Sequence, residues 1–404
     1  MKKISILTAL ILIFSFLPIS NAQSEHFTYE SEIEVMFAGD LESGMSFYKK
    51  NDERPYPVAS MSKLMSYLVV KDYIKEGKLK MTDQVEIDSE VASYNTYEYS
   101  NFGTQKGEKI KVEDLLKALM VVSGNDATVA LAKKVAKTEK NFVDMMNRKA
   151  GELGLKNSSF VNSSGITEYI TGENGKKIPK YNQMSARDLF VLSRHILKTY
   201  PETVDYGKIQ VLEYPERGYT GHATHPTLEH DKSSEGLKTG FTEEAGYGFV
   251  GLFDMNKIKS GQGYKIITIV NGAETVEQRA KTTDELVDFV KNNYKYEMII
   301  NSDLAVIDKK DITSKEGFIK LYPEKSVYKV IGMYDDVEIS YKIKEGMNTP
   351  HEDGEALGEL LVKMGDKEIE TLNLVNRGYV ERANFFTILG QKLKEFFDNI
   401  MMLF

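Results

Sequence analysis

The feature that most constrains the fold is a change in sequence pattern near residue 294. Before it, apolar residues at helical spacing alternate with strand-like runs, which is typical of an α+β arrangement. After it come short strand-like runs separated by turn residues, with no helical pattern until about residue 384. A chain of 404 residues also exceeds one typical core. The sequence therefore predicts an α+β part, 23–294, followed by a smaller β-rich domain, 295–382.

Local patterns predict the individual elements. A helix should begin at Ser60, because apolar residues follow it at helical spacing: Met61, Leu64, Met65, Leu68 and Val69. Ser185 is the predicted N-cap of another helix. Further helices are predicted at 112–122, from about 127, at 140–153, at 185–198 and at 277–292, and a long loop at 156–182. Strands are predicted within 33–49 and at 246–254, 264–270, 298–307, 318–330, 337–343 and 358–364.

The N-terminus has the layout of a secretory signal peptide. Lys2 and Lys3 precede an apolar run that ends near Ile19, and small residues follow at Ser20 and Ala22. Cleavage is expected after Ala22, so residues 1–22 would be removed and the rest exported. The alternative is an uncleaved membrane helix, for which the apolar run is short.

The C-terminal segment, 383–404, has an aromatic apolar face interrupted by charges. The apolar side chains recur at helical spacing: Phe385, Leu389, Leu393, Phe396, Phe397, Ile400 and Phe404. Such a helix is too charged to span a bilayer but suits the membrane interface. The alternative is a terminal helix packed on the protein's own core. We expect a peripheral anchor at the outer face of the cytoplasmic membrane.

Composition excludes several classes of function. The net charge is −8, so the chain lacks the basic footprint of a nucleic-acid-binding protein. It contains no cysteine, which rules out disulfides and thiolate chemistry. Its six histidines include no His-Glu-x-x-His pair, which disfavours a histidine metal site.

Ser60 and Lys63 form a Ser-x-x-Lys pattern at the predicted start of a helix. Residues at i and i+3 share a helix face, so an unprotonated Lys63 could accept the hydroxyl proton of Ser60 and create a nucleophile. A second copy, Ser46–Lys49, lies in a predicted strand, where i and i+3 point to opposite faces. The alternative for Ser60 is an N-cap serine beside an exposed lysine.

Ser123 and Asn125 interrupt an apolar helix and should lie at a buried bend. A serine there can relay a proton, and an asparagine can hold a substrate amide. The alternative is an ordinary helix cap. A similar Ser-x-Asn pattern at Ser93 lies in a polar stretch without flanking core residues.

Lys238, Thr239 and Gly240 open a predicted strand. A lysine and a hydroxyl on one strand can bind a carboxylate, and glycine allows a substrate backbone to approach closely. The alternative is an edge strand with a solvent-facing lysine and a turn glycine.

Together the three patterns are specific. Ser-x-x-Lys, a Ser-x-Asn element and Lys-Thr-Gly occur in the order typical of penicillin-binding proteins and class A β-lactamases. The mature chain resembles the D-alanyl-D-alanine carboxypeptidases among the low-molecular-mass penicillin-binding proteins. The resemblance extends over 58–65, 123–127, 184–189 and 236–247.

The resemblance implies a fold and a reaction. The fold would be a β-lactamase/transpeptidase-like catalytic domain, an antiparallel sheet flanked by helices, followed by a small all-β domain and an amphipathic helix. The reaction would remove the terminal D-alanine from peptidoglycan stem peptides through an acyl-enzyme, which β-lactams would also form. The partners would be the stem peptide, β-lactams and the membrane surface, and no metal or organic cofactor would be needed.

The resemblance also implies roles for residues. Ser60 would be the nucleophile and Lys63 its base. Ser123 and Lys238 would carry a proton to the leaving amine, and Asn125 would orient substrate or lysine. The substrate-binding residues would be Lys238, Thr239, Gly240, Phe241 and Arg279, with the backbone N–H groups of Ser60 and Phe241 as the oxyanion hole.

Three alternatives stay open. A class A β-lactamase would need a glutamate for deacylation, yet no Glu-x-x-Leu-Asn lies between Asn125 and Lys238. A D,D-endopeptidase would share the active site, although such enzymes usually lack the β domain and anchor. A non-enzymatic penicillin-binding sensor or wall-binding module would acylate slowly or only bind.

Overall fold

The computed structural model describes residues 30–172, 174–225, 233–345 and 348–401. The expected signal peptide, 1–22, lies outside the described residues.

A five-stranded antiparallel sheet forms the centre of the first part of the chain. Its strand order is β11-β12-β13-β1-β2, so strands from both ends of this part meet in its middle, where Phe37 of β1 pairs with Ile269 of β13. Strand β11 is at one edge and pairs only with β12. The strands are β1 (Val35–Asp40), β2 (Ser46–Lys50), β11 (Ser234–Thr242), β12 (Gly246–Asp254) and β13 (Lys265–Ala273).

Helices cover both faces of this sheet. The larger core cluster contains the apolar residues of α1, α3, α4 and α6, and a second cluster on the other side contains those of α9. Helix α1 is buried more completely than its predicted apolar stripe indicates, because all residues from Lys63 to Lys71 are buried. The helices are α1 (Lys63–Lys75), α2 (Ser89–Ala92), α3 (Val112–Val121), α4 (Asn125–Ala136), α5 (Glu139–Glu152), α6 (Ala186–Thr199), α7 (Thr203–Gly207), α8 (Met255–Ile258) and α9 (Val276–Asn293).

Short hairpins and strand pairs fill the connections. The expectation of a long loop at 156–182 is wrong in part, because β6 and β7 form a hairpin there. All eight residues of this hairpin are exposed, so no alternation of apolar and polar residues revealed it. The remaining strands are β3 (Tyr56–Pro57), β4 (Gln84–Glu86), β5 (Lys109–Lys111), β6 (Glu168–Thr171), β7 (Lys177–Lys180), β8 (Gln183–Met184), β9 (Val211–Tyr214) and β10 (Tyr219–His222).

From Tyr294 to Val375 the described chain contains strands and no helix. One sheet has the order β15-β16-β20-β19-β18, and β14 pairs with β17. These strands enclose a separate apolar cluster that includes Leu321, Leu360 and Leu374. The strands are β14 (Tyr294–Ile300), β15 (Ile307–Lys310), β16 (Phe318–Pro323), β17 (Val327–Gly332), β18 (Val337–Ile343), β19 (Ala356–Met364) and β20 (Lys367–Val375).

The last described element is helix α10, Phe385–Met401. Gln391 donates to the carbonyl oxygen of Ser314 at 3.2 Å, and Glu395 pairs with Lys310 at 3.0 Å. Most of its large apolar side chains stay exposed: Phe385, Phe386, Leu389, Leu393, Phe396, Phe397, Ile400 and Met401. Among the described residues, no helix has the length and apolarity required to cross a bilayer.

Candidate active site

Ser60 lies in a 3-10 turn, Ala59–Ser62, that leads directly into α1. Ala59 has a positive φ of 45°, a conformation that costs an alanine roughly 1–3 kcal/mol. Lys63 begins α1, and its Nζ donates to Ser60 Oγ at 2.8 Å. The structure thus brings the predicted nucleophile and base into direct contact.

The amine of Lys63 is completely buried and has three acceptors. Besides Ser60 Oγ, it donates to Asn125 Oδ1 at 2.7 Å and to the carbonyl oxygen of Ser164 at 2.6 Å. Burial, and then the charge of Lys238, lower the pKa of Lys63 well below its ordinary value, although Asp126 acts in the opposite direction. The environment therefore favours a neutral amine able to accept a proton.

Ser123 and Asn125 lie at the junction of α3 and α4. Ser123 has a positive φ of 59° and is 4% exposed, and its hydroxyl has no hydrogen-bond partner among the described residues. Asn125 donates from Nδ2 to the carbonyl oxygen of Ser100 at 2.8 Å, which leaves Oδ1 for Lys63. The buried bend predicted from the sequence thus presents one fixed amide and one free hydroxyl.

Lys238 and Thr239 lie on the edge strand β11 and are buried. Lys238 Nζ donates to the carbonyl oxygen of Thr239 at 3.1 Å, and Thr239 Oγ1 donates to Thr224 Oγ1 at 2.6 Å. Burial, and then the charge of Arg279, lower the pKa of Lys238 to about 7. Lys238 can therefore exist with or without its proton near neutral pH.

Gly240 brings β11 against the serine turn. A Cβ on Gly240 would lie 2.7 Å from the carbonyl oxygen of Val58 and 3.1 Å from the backbone nitrogen of Ser60. Real Cβ atoms are essentially never closer than 3.0 Å, so no side chain fits here. The next residue, Phe241, is exposed and stacks on Tyr247 with ring centroids 4.1 Å apart.

Arg279 enters the same cleft from α9. Its side chain is buried, donates to the carbonyl oxygen of Gly248 at 3.5 Å and lies 5.7 Å from the ring centroid of Tyr247. Burial lowers the pKa of Arg279 to about 10, so it stays charged at neutral pH. The alternative interpretation, a solvated helix charge, does not fit this burial.

All the predicted groups meet at one cleft of about 490 Å³. Its lining includes seven of the nine predicted residues: Ser60, Ser123, Asn125, Thr239, Gly240, Phe241 and Arg279. The other two, Lys63 and Lys238, are buried behind it. The discounted patterns lie elsewhere, at Ser46 in β2 and at Ser93 just after α2.

Sequence reasoning missed the segment that carries Ser164. Asn182 Nδ2 donates to Ser62 Oγ and to the carbonyl oxygen of Asn162, both at 2.9 Å, and Asn162 Oδ1 accepts from the backbone N–H of Gly165 at 2.7 Å. Gly165 has φ +82°, and a Cβ there would lie 2.1 Å from the carbonyl oxygen of Ala59. The only sequence signal was a segment rich in Asn, Ser and Gly.

Two further residues were missed. His225 is buried beside Lys238 and Arg279, and neither ring nitrogen has a partner among the described residues. Burial, and then these two cations, lower the pKa of His225 to about 3, so the ring is neutral at physiological pH.

Asp126 accepts from the backbone N–H groups of Phe102 and Thr104 at 2.8 and 2.9 Å, which holds the loop before α3 against α4. No group of three or more potential metal ligands occurs among the described residues.

Comparison with known proteins identifies the family. A family model described as D-alanyl-D-alanine carboxypeptidase matches residues 21–275. The D-alanyl-D-alanine carboxypeptidase DacF of Bacillus subtilis is 28% identical over an alignment of 393 residues, and the match covers 95% of this chain and 95% of that one.

Solved structures show the same fold. A peptidoglycan synthesis regulatory factor, PBP3 of Streptococcus pneumoniae, matches with a TM-score of 0.69 at 26% identity, covering 87% of this chain and 100% of that one. Penicillin-Binding Protein D2 of Listeria monocytogenes in its cefotaxime-bound form gives a TM-score of 0.55 at 28% identity, covering 65% and 98%. The predicted fold class and family resemblance are both confirmed. Since the family model covers well over half of it, the chain belongs to the peptidase S11 family of D-alanyl-D-alanine carboxypeptidases.

Proposed function

We propose that this serine D,D-carboxypeptidase removes the terminal D-alanine of peptidoglycan stem peptides through an acyl-enzyme on Ser60. The observation that carries the assignment of Ser60 is the completely buried Lys63 amine, 2.8 Å from Ser60 Oγ, with its pKa held low. A serine is a weak nucleophile until an adjacent base takes its proton. Lys63 lies at the distance this transfer requires, and its lowered pKa favours the neutral amine.

Acylation begins when Ser60 attacks the carbonyl carbon of the penultimate D-alanine. Lys63 takes the hydroxyl proton, and the backbone N–H groups of Ser60 and Phe241 stabilise the oxyanion. Each such donor contributes about 3–4 kcal/mol to the transition state. The assignment is supported by the close contact of Gly240 with the backbone nitrogen of Ser60.

The leaving D-alanine needs a proton on its nitrogen and a partner for its carboxylate. Ser123, whose hydroxyl is unpaired among the described residues, passes a proton from Lys238, whose pKa of about 7 suits transfer in both directions. Thr239 and the charged Arg279 bind the carboxylate. Asn125 fixes the orientation of Lys63 through its Oδ1.

Deacylation completes the cycle. Lys63 first returns its proton to Lys238 through Ser123. It then takes a proton from the water that attacks the ester and passes it to Ser60 Oγ as the shortened peptide leaves. A β-lactam presents its strained amide to the same serine and acylates it stably. The cefotaxime-bound form of the Listeria protein supports this part of the proposal.

We further propose how the chain is organised and located. Residues 1–22 are a cleaved signal peptide, 23–294 the catalytic domain, 295–382 the β domain and 383–404 a peripheral membrane anchor at the outer face of the cytoplasmic membrane. The separate apolar clusters on either side of residue 294 support the domain boundary. The exposed aromatic side chains of α10 support the anchor.

The test is D-alanine release from a synthetic peptide ending in Lys-D-Ala-D-Ala. The protein, residues 23–404, should release D-alanine, and Ser60→Ala should abolish release. Ser46→Ala is the matched control, because it removes the serine of the other Ser-x-x-Lys pattern and should leave activity unchanged.

Other outcomes separate the alternatives. Stable labelling of Ser60 by a fluorescent penicillin without D-alanine release would favour an endopeptidase or a sensor. Rapid turnover of the penicillin would favour a β-lactamase. The absence of both D-alanine release and penicillin labelling would contradict the assignment of Ser60.

A further inference from the structure

The cleft is polarised in charge from its floor to its mouth. The groups on the floor are cationic or can become so: Lys63, Lys238 and Arg279, all buried. The mouth carries three glutamates, of which Glu98 and Glu243 are exposed and Glu244 is half-buried. No lysine lies among the residues that line the described cleft. A ligand that complements this cleft carries a negative group at its inner end and a positive group further out.

Glu244 is held in a fixed position across the cleft. Its Oε2 accepts from Thr167 Oγ1 at 2.7 Å and its Oε1 from the Tyr169 hydroxyl at 2.6 Å. Thr167 directly precedes β6, and Tyr169 lies within it. Partial burial raises the pKa of Glu244, but these hydrogen bonds outweigh it and lower the pKa below its ordinary value. The carboxylate is therefore ionised at neutral pH, and both hydroxyls donate to it.

These three glutamates lack a cationic partner within the described part of the chain, since no ion pair within 4.0 Å involves them. Glu235 on β11 shows the contrast, because it pairs with Lys208, Lys257 and Lys265. Lysines therefore compensate the charge of Glu235 within the protein. The three carboxylates at the cleft mouth have no such cationic partner among the described residues, so they can meet a cation carried by a ligand.

An independent observation points to a ligand in this cleft. Ser123 is 4% exposed, lines the cleft and has no hydrogen-bond partner for its hydroxyl among the described residues. Such a buried polar group costs free energy unless something bonds to it. A ligand in the cleft would supply that hydrogen bond, and the glutamates line the same cleft.

The substrate geometry places one residue at the mouth. With the terminal carboxylate at Thr239 and Arg279 and the scissile carbonyl at Ser60, the residue before D-Ala-D-Ala comes next. An extended chain advances about 3.3–3.6 Å per residue, so this residue's side chain is the first to leave the floor. It is the first side chain of the peptide that can meet Glu243 and Glu244.

We infer that Glu243 and Glu244 select stem peptides in which the residue before D-Ala-D-Ala carries a free side-chain amine. The inference rests on the proposed function. Peptides whose amine is already acylated, as in a cross-link, lose the ammonium and are poorer substrates. The enzyme thereby trims uncross-linked stems in preference to cross-linked ones.

The experiment compares two peptides that differ only in this charge. Both end in D-Ala-D-Ala; one has lysine before that pair and the other Nε-acetyl-lysine. The wild-type kcat/KM should favour the lysine peptide by about three- to tenfold, in the range of a few partly exposed charge pairs. Raising NaCl to about 0.5 M should shrink the ratio, because salt screens exposed charges.

Variants localise the effect. Glu243→Gln combined with Glu244→Gln should bring the ratio close to one, chiefly by lowering kcat/KM for the lysine peptide. Glu338→Gln, an exposed glutamate on β18, is the matched control and should keep the ratio. Glu243→Lys should improve a peptide bearing Nε-succinyl-lysine, whose added group is a carboxylate.

The outcomes separate this inference from the proposed function. Equal kcat/KM for the two peptides in the wild type, or a preference that survives in the double variant, would overturn the inference alone. D-alanine release from neither peptide would overturn both. If the double variant fails to react with fluorescent penicillin and is therefore misfolded, Glu243→Lys decides, because Glu243 is exposed.

Discussion

At the scale of single residues, the three acceptors around Lys63 define the direction of proton transfer. An ammonium has three N–H donors, and all three are used. A neutral amine has two donors and one lone pair. Asn125 Oδ1 and the carbonyl oxygen of Ser164 can only accept, so they take both donors. The lone pair must then face the hydroxyl of Ser60.

Acylation should therefore slow as the pH falls. Burial, and then Lys238, lower the pKa of Lys63, so the amine stays neutral down to a lower pH than an ordinary lysine and becomes inactive once protonated. In Lys63→Arg the guanidinium stays protonated, so the acylation rate should drop by about 100-fold or more. The pH profile of this variant should also lose the acidic limb, which is the fall in rate at low pH. The measurement is the second-order rate constant for a fluorescent penicillin between about pH 5 and 9.

A matched variant tests whether this effect belongs to Lys63. Lys71 is a second buried lysine of α1, paired with Glu202 at 2.7 Å. Lys71→Arg should keep the wild-type rate and pH profile. A Lys63→Arg enzyme with the wild-type acidic limb would contradict the assignment of Lys63 as base.

The sequence predicted the residues of the site that act through recognisable side chains. Ser60, Lys63 and Lys238 belong to patterns whose spacing carries chemical meaning. The contribution of Ser164 is a backbone carbonyl, which any residue type has, so the sequence contained no signal for it. Asn182 acts through contacts with Ser62 and Asn162, which are distant in the chain, and a single sequence does not reveal such contacts.

At the scale of elements, β11 depends on a buried anchor near its start. Glu235 is almost fully buried and its carboxylate meets Lys265 at 2.5 Å, Lys257 at 3.0 Å and Lys208 at 3.5 Å. These contacts hold the chain three residues before Lys238. The position of the edge strand β11 therefore depends on the charge of the Glu235 carboxylate.

Glu235→Gln should destabilise the protein by about 1–3 kcal/mol, less than for a fully buried pair because the lysines are partly exposed. Burial raises the pKa of Glu235, but hydrogen bonds from Lys265 and Lys257 act in the opposite direction. The resulting pKa lies below its ordinary value. A lowered carboxyl pKa adds stability above the unfolded-state pKa, and this is lost as the pH falls through the folded-state value. Urea unfolding should thus show the wild-type advantage shrinking below about pH 4.5.

An exposed ion pair serves as the control for this prediction. Glu297 pairs with Lys295 on β14, and both side chains are substantially exposed. Glu297→Gln should change the unfolding free energy by less than about 0.5 kcal/mol. An equally small effect of Glu235→Gln would show that the lysine cluster does not anchor β11.

Element prediction succeeded where burial imposes a pattern. Helix α6 begins after Ser185, whose hydroxyl accepts from the backbone N–H of Asp188, as the capping signal indicated. Strand β18, 337–343, also has the predicted bounds. The β6–β7 hairpin was missed because exposed strands need no apolar alternation, and β20 was missed although it lies between two other strands.

At the scale of the whole molecule, α10 leaves an aromatic surface without a cover in the described structure. Membrane binding through this surface should be measurable with zwitterionic vesicles. Leu389→Asp combined with Phe396→Asp should weaken binding by about 100-fold or more, because each apolar side chain contributes about 1.5–3 kcal/mol on burial. Co-sedimentation of residues 23–404 with the vesicles is the measurement.

The control for membrane binding changes a charge and keeps the apolar face. Lys392 is exposed on α10. The Lys392→Gln protein should bind zwitterionic vesicles like the wild type. Unchanged binding by the Leu389→Asp/Phe396→Asp protein would favour the other interpretation, a helix that packs on protein.

The architecture of the whole chain was predictable because its pattern changes so sharply. Strand-only sequence after residue 294 corresponds to a separate apolar cluster, and helical spacing returns only in α10. The sequence did not predict which strands pair. Strands β1 and β13 are far apart in the chain, and their pairing depends on the packing of the whole sheet.

The long-range contacts around Lys63 have a consequence for when the enzyme becomes active. Its partners Asn125 and Ser164 lie 62 and 101 residues further along the chain, and the edge strand that closes on Ser60 comes later still. A chain emerging from a translocation channel holds its serine and lysine long before it holds their partners. Reactivity towards penicillin thus arises near the end of folding. The fraction of molecules that penicillin labels can therefore report how much of the exported protein has folded.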